Sequence, residues 1–141
     1  MNGKVALALF VIADVFCVGM GMGVPFFCIL FGFPVGWILA RRFCLHETRP
    51  GMLLGHVLRS AVVTSLFTFF LMLALWGPMA RMLLNPATDF VNLGIPQILY
   101  EPVPSFIGWL VLMIFVSPFL QLMATVFAAY LTLAVELKEA L

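Results

Sequence analysis

The chain has 141 residues, of which 65% are hydrophobic and 9% charged, with a formal net charge of +1. Soluble domains carry roughly 25% charged residues, so a water-facing globular surface is excluded, and no charge excess points to nucleic acid. The composition and a mean hydropathy of +1.20 read as an all-α, polytopic integral membrane protein.

Between Lys4 and Arg41 the only formally charged side chain is Asp14. As one helix this stretch would be roughly 54 Å long, against roughly 30 Å of hydrocarbon. It must fold back, and Gly19, Gly21, Gly23 and Pro25 mark the place: glycines loosen the end of a first helix and proline suits the first turn of a second. A short transmembrane hairpin is predicted, with spans of about 5–22 and 25–40. Asp14 interrupts the apolar run, so residues 1–21 are read as a retained helix rather than as a cleaved leader.

Arg41 and Arg42 close the second span. A polar connection over 41–56 follows, with His46, Glu47, Arg49 and Pro50. A third span is predicted over 57–76, stopped by Gly77-Pro78, and a fourth over about 106–135, long enough that it must tilt, kink at Pro118 or emerge into water. Residues 78–105 between them are too apolar for a solvated loop. Their prolines, at 86, 96, 102 and 104, prevent a single helix. They are expected to lie in the membrane interface or to cover one end of the bundle. The whole is one transmembrane domain of four spans, with no internal repeat.

Lys4, Arg41, Arg42, Arg49, Arg59 and Lys138 fall on one side of this arrangement and only Arg81 on the other, which orients both termini to the cytoplasm of a cell-membrane protein. Trp37 and Tyr130 then fall near the inner face, and Trp76, Tyr100 and Trp109 near the outer one. Arg41, Arg42, Arg49 and Arg59 read as anchors for anionic lipid headgroups of the bilayer.

Two patterns stand out inside the spans. Cys28, Gly32, Gly36 and Ala40 recur every four residues, and Gly19 and Gly23 repeat that spacing on the first span. Small residues at this period let helix backbones approach closely in lipid. Packing within the monomer, against a second copy, or against other membrane subunits would each use such a face; Val35, off it, is expected to tolerate bulk.

The second pattern is polar. Ser60, Thr64 and Thr68 stand four apart on the third span, and Ser117, Gln121 and Thr125 on the fourth. Counting from the helix ends puts Asp14, Thr68 and Gln121 at one depth, near mid-membrane. A carboxylate there is expensive unless it faces the bundle and finds partners. A polar clamp and a proton or cation site are the two readings.

Cys44, His46, Glu47 and His56 match no metal-ligand spacing, and neither histidine sits at mid-membrane depth where it could ligate a haem. Cys17 and Cys28 read as small buried hydrophobes, with no CxxC pair. No cofactor is implied and no nucleophile–base motif appears, so a non-catalytic role is expected. Four short spans with an acidic residue in the first resemble the small drug exporters. Only Asp14 and the span count correspond, however, and residues 78–105 do not fit, so no family follows. The functional expectation is a structural or accessory membrane subunit; a small oligomeric transporter or channel using Asp14, Thr68 and Gln121 is the alternative.

Overall fold

In hydrocarbon a chain must satisfy its own backbone N–H and C=O groups, and a helix does so within one segment. All regular structure in the described residues of this computed structural model (3–20, 25–44 and 50–139) is helical. The elements are α1 (Gly3–Met20), α2 (Phe26–Cys44), α3 (Pro50–Trp76), a 3-10 segment (Gly77–Leu84), α4 (Pro102–Val111), a π turn (Leu112–Val116) and α5 (Ser117–Glu139). Three helical stretches are long and apolar enough to cross a membrane, Phe26–Cys44, Gly51–Leu84 and Pro102–Glu136, and Val5–Met20 is a shorter apolar helix.

The helix ends differ from those expected of the sequence. Rather than stopping at Ala40, α2 carries Arg41 and Arg42 in its last turn and ends at Cys44. Long cationic side chains can continue a helix while reaching for the interface, and they suit the negative end of its dipole. Proline is at home in a first helical turn, and α3 begins at Pro50, seven residues before the expected Val57. Of the expected polar connection, residues 41–44 and 50–56 are therefore helical, and His46, Glu47 and Arg49 lie outside the described residues.

The last span likewise begins at Pro102 rather than Phe106. Before Pro118 its backbone widens into the π turn, where the Ser117 N–H donates to Leu112 O, five residues back. Pro118 has no N–H to give. The Met113 carbonyl instead receives the Ser117 hydroxyl at 2.6 Å. Ser65 on α3 donates to Pro118 O at 2.7 Å and ties the two helices there.

Two apolar clusters form the core. One gathers Val18, Cys28, Met72, Phe106, Trp109, Leu110, Met113 and Ile114 from α1, α2, α3, α4 and the π turn. The other gathers Ala40, Leu53, Val57, Ala129 and Leu133 from α2, α3 and α5, and among the described residues none from α1. The segment before α4 folds over the first cluster. Met79, Met82, Phe90, Leu93 and Ile95 pack on it, Phe90 meets Phe106 with ring centroids 5.1 Å apart, and Trp76 stands edge-on to Trp109 at 5.0 Å. Gly94, at φ 73°, turns the chain between Leu93 and Ile95 in a conformation that suits glycine. Ser105 fixes the approach to α4: its hydroxyl donates to Leu99 O and accepts from Leu99 N–H, both at 2.7 Å. Residues 78–105 thus cover one end of the bundle.

Candidate functional site: a buried carboxylate between three helices

Asp14 is wholly buried, as is Thr68, and Gln121 is 2% exposed. Each comes from a different helix, at a level between the two apolar clusters. Thr68 Oγ1 donates to Asp14 Oδ2 at 2.8 Å, and Gln121 Nε2 donates to Asp14 Oδ1 at 3.2 Å. Both carboxylate oxygens are therefore engaged, one by α3 and one by α5. Thr68 Oγ1 also lies 3.2 Å from Thr64 O. Its single proton serves one acceptor at a time, so the carbonyl of its own helix competes with the carboxylate.

The other polar residues at four-residue spacing turn inward to their own helices. Thr64 donates to Ala61 O at 2.9 Å and lies 3.1 Å from Ser60 O; Thr125 donates to Gln121 O at 2.8 Å; Ser117 serves the π turn. Among the described residues, two buried side-chain polar atoms have no hydrogen-bond partner, Gln121 Oε1 and Trp76 Nε1. The first belongs to the same amide that holds Asp14.

The small-residue ladder of α2 lies directly beside this site. Cys28, Gly32, Gly36 and Ala40 are all buried. A Cβ on Gly32 would stand 2.5 Å from Gln121 O and 2.9 Å from Ala124 Cβ. A Cβ on Gly36 would overlap Thr125 O and stand 3.0 Å from Ala128 Cβ. The order of these contacts makes α2 and α5 parallel neighbours, backbone to backbone. Gly19 takes no part in this seam, because among the described residues nothing lies within 4 Å of where its Cβ would be, and Gly23 lies outside the described residues. Val35, off the ladder face, is buried as well, at 8% exposure.

What sequence reasoning missed is the surface that receives the ladder. Ala124 and Ala128, with Thr125 and Ala129, repeat the four-residue spacing on α5, and that repetition was the available signal. Ser65 and Ser105 were missed as well; Ser105 follows the Pro102-Val103-Pro104 helix start, where a hydroxyl commonly serves the incoming chain.

At the end shared by α2 and α5, Arg41 Nε lies 3.3 Å from Glu136 Oε1. Its guanidinium stands 4.9 Å over the Trp37 ring. Arg42 lines a groove between α1, α2 and α3, and Arg59 is exposed on α3. His56 lies against Phe43, with ring centroids 5.7 Å apart. Cys17, Cys28 and Cys44 are free thiols, and no group of three His, Cys, Asp or Glu side chains among the described residues could hold a metal.

No protein-family model matches the sequence, and no curated protein or solved structure matches it either.

Proposed function

We propose that the chain is a non-catalytic integral membrane protein, a structural or accessory subunit of a homo-oligomer or larger membrane complex. It spans the cell membrane four times with both termini cytoplasmic. The supporting observation is the way the bundle uses Asp14: both carboxylate oxygens accept from the bundle's own side chains. A group spent on holding three helices together is a clamp. The four-rung ladder is spent in the same way, on the α5 backbone, so the surfaces left for partners are the outward faces of the helices, Phe33 and Trp37 on α2 and Phe127 and Tyr130 on α5 among them.

A small transporter that moves protons or cations past Asp14 is the second reading. It draws support from Gln121 Oε1, a buried acceptor without a partner beside the carboxylate. The mass of the particle extracted in mild detergent, together with flux in liposomes, tests the two. A particle heavier than one 15.6 kDa chain, with no flux, is expected. A particle whose proton or cation flux is lost in Asp14→Asn would replace the subunit reading with the transporter.

A further inference from the structure

Asp14 brings one negative charge into the middle of the bundle. Its side-chain partners there, the Thr68 hydroxyl and the Gln121 amide, are both neutral. Among the described residues no basic side chain forms a salt bridge with it; Arg41 pairs with Glu136 instead. Neutral donors orient a buried carboxylate but leave its charge in place, and a charge in hydrocarbon calls for a counter-charge. Beside the carboxylate, Gln121 Oε1 is a buried acceptor with no hydrogen-bond partner among the described residues, on a side chain 2% exposed. An anion and a free acceptor side by side attract the same thing, a positive ion.

The surrounding groups can turn to receive one without any movement of the backbone. The Thr68 proton has a second acceptor, Thr64 O at 3.2 Å, and on taking it the hydroxyl presents its lone pairs to Asp14. Half a turn of the Gln121 amide puts Oε1 where Nε2 stands, 3.2 Å from Asp14 Oδ1. That turn leaves one amide end unpartnered in place of the other, and an ion between Oε1 and Oδ1 replaces the bond given up. Both oxygens of Asp14, Thr68 Oγ1 and Gln121 Oε1 then converge. Oxygens about 2.4 Å from a hard cation stand roughly 3.4 Å apart. The present separations of 2.8 and 3.2 Å widen to that by small side-chain shifts.

Charge and size select the ion. One carboxylate balances one positive charge, so a divalent ion would leave charge uncompensated in hydrocarbon. Potassium, being larger, would spread the oxygens further than sodium. A proton would engage Oε1 alone and make no use of Thr68. We infer that Asp14, Thr68 and Gln121 bind one sodium ion at mid-membrane through their side-chain oxygens. The inference rests on the three-helix clamp proposed above and deepens it: the ion completes the clamp, whether or not it is carried across the membrane.

The test is equilibrium binding of radioactive sodium to the full chain in mild detergent at neutral pH, with choline chloride holding the ionic strength. One saturable sodium per chain is expected. Asp14→Asn should weaken it about a hundredfold, since the balancing charge is gone, and Gln121→Leu about tenfold. Ser60→Ala, outside the converging oxygens, should bind as the parent does. A folded parent with no saturable sodium overturns the inference, as does binding retained in full by a folded Asp14→Asn or Gln121→Leu protein.

If neither variant folds, the thermal midpoint of the parent decides. Exchanging choline chloride for sodium chloride should raise it, by roughly 5 °C for each tenfold of sodium above the dissociation constant, and potassium chloride should raise it less. A midpoint that is the same in sodium and choline overturns the site, and one that follows pH instead assigns the counter-charge to a proton. Failure of the clamp is read separately. An Asp14→Leu protein as stable as the parent in choline chloride removes the clamp with the ion, whereas a destabilised one whose parent ignores sodium removes the ion alone.

Discussion

Gly36 faces the main-chain carbonyl of Thr125 so closely that a Cβ has no room between them. The obstacle is backbone, which cannot rotate aside as a side chain can. Any residue larger than glycine must therefore push α5 away from α2 along the seam that also carries Gln121. Gly36→Ala should destabilise the bundle by about 1–3 kcal/mol, and Gly36→Leu by more. Gly19→Ala, where space is open, should be neutral or slightly stabilising, since alanine favours the helix. Thermal unfolding in a fixed detergent compares the three, and equal midpoints for Gly36→Ala and Gly19→Ala would show that the two helices do not meet there.

Ser105 is the next lever. Its hydroxyl makes both hydrogen bonds to Leu99 while 2% exposed, so Ser105→Ala removes the partner of one part-buried backbone donor and one acceptor. The loss should be about 1 kcal/mol, concentrated in residues 85–101. Limited proteolysis should show faster cleavage in that segment with the rest of the bundle intact. Unchanged cleavage would mean that Phe90 and Leu93 hold the segment unaided.

Asp89, in the same segment, gives a pH-dependent signal. The Asn92 side-chain amide at 2.6 Å, followed by the Val91 and Asn92 backbone N–H groups, holds its carboxyl below the ordinary aspartate range. A depressed carboxyl stabilises its turn above the unfolded pKa, and that contribution disappears as pH falls through the folded one. Asn92→Ala should bring the Asp89 titration back towards the ordinary range, read by NMR of the labelled carboxyl.

Orientation is settled by labelling. Thr48→Cys should react with impermeant thiol reagents only from the cytoplasmic side and Val91→Cys only from outside, as the six-to-one distribution of Lys and Arg requires. The reverse pattern would invert the topology. Both should be made in a background lacking Cys44, which is partly exposed.

The level shared by Asp14, Thr68 and Gln121 is legible in the sequence because each helix rises about 1.5 Å per residue across a slab of fixed thickness. Depth is a count. Azimuth is not, and that is where sequence reasoning stopped. The spacing of Cys28, Gly32, Gly36 and Ala40 defines a face but cannot name the neighbour, which is α5. The same rule applied to Gly19 points into open space. Val35, one residue from the ladder face, is buried because α2 is enclosed on a second side, where α1 and the groove lie. The π turn was hidden for a different reason: Ser117-Pro118 announces a disturbance, while its form depends on which carbonyl the Ser117 hydroxyl reaches. Helix ends were missed where charged or proline residues, read as stops, sit inside a helix or open one.

Asp14 itself carries the last prediction. In Asp14→Leu, Thr68 keeps an acceptor, because Thr64 O is 3.2 Å away, but the Gln121 amide loses the one side-chain partner it has among the described residues and is left buried with both ends unsatisfied. Interhelical hydrogen bonds in membranes are each worth about 0.6 kcal/mol and at most about 1.7, so the total loss should be about 1–3 kcal/mol. Asp14→Asn should behave differently. Its amide can present an oxygen to Thr68 and an N–H to Gln121, provided the Gln121 amide turns to offer Oε1, the atom that has no partner in the native arrangement. The Asn protein should therefore unfold within about 1 kcal/mol of the parent, and the Leu protein well below it. A double-mutant cycle with Gln121→Leu checks the mechanism: the coupling to Gln121 should be large with Asp or Asn at position 14 and vanish with Leu. If Asp14→Leu is as stable as the parent, the carboxylate is not a clamp, and the cost of burying it must be offset by another role.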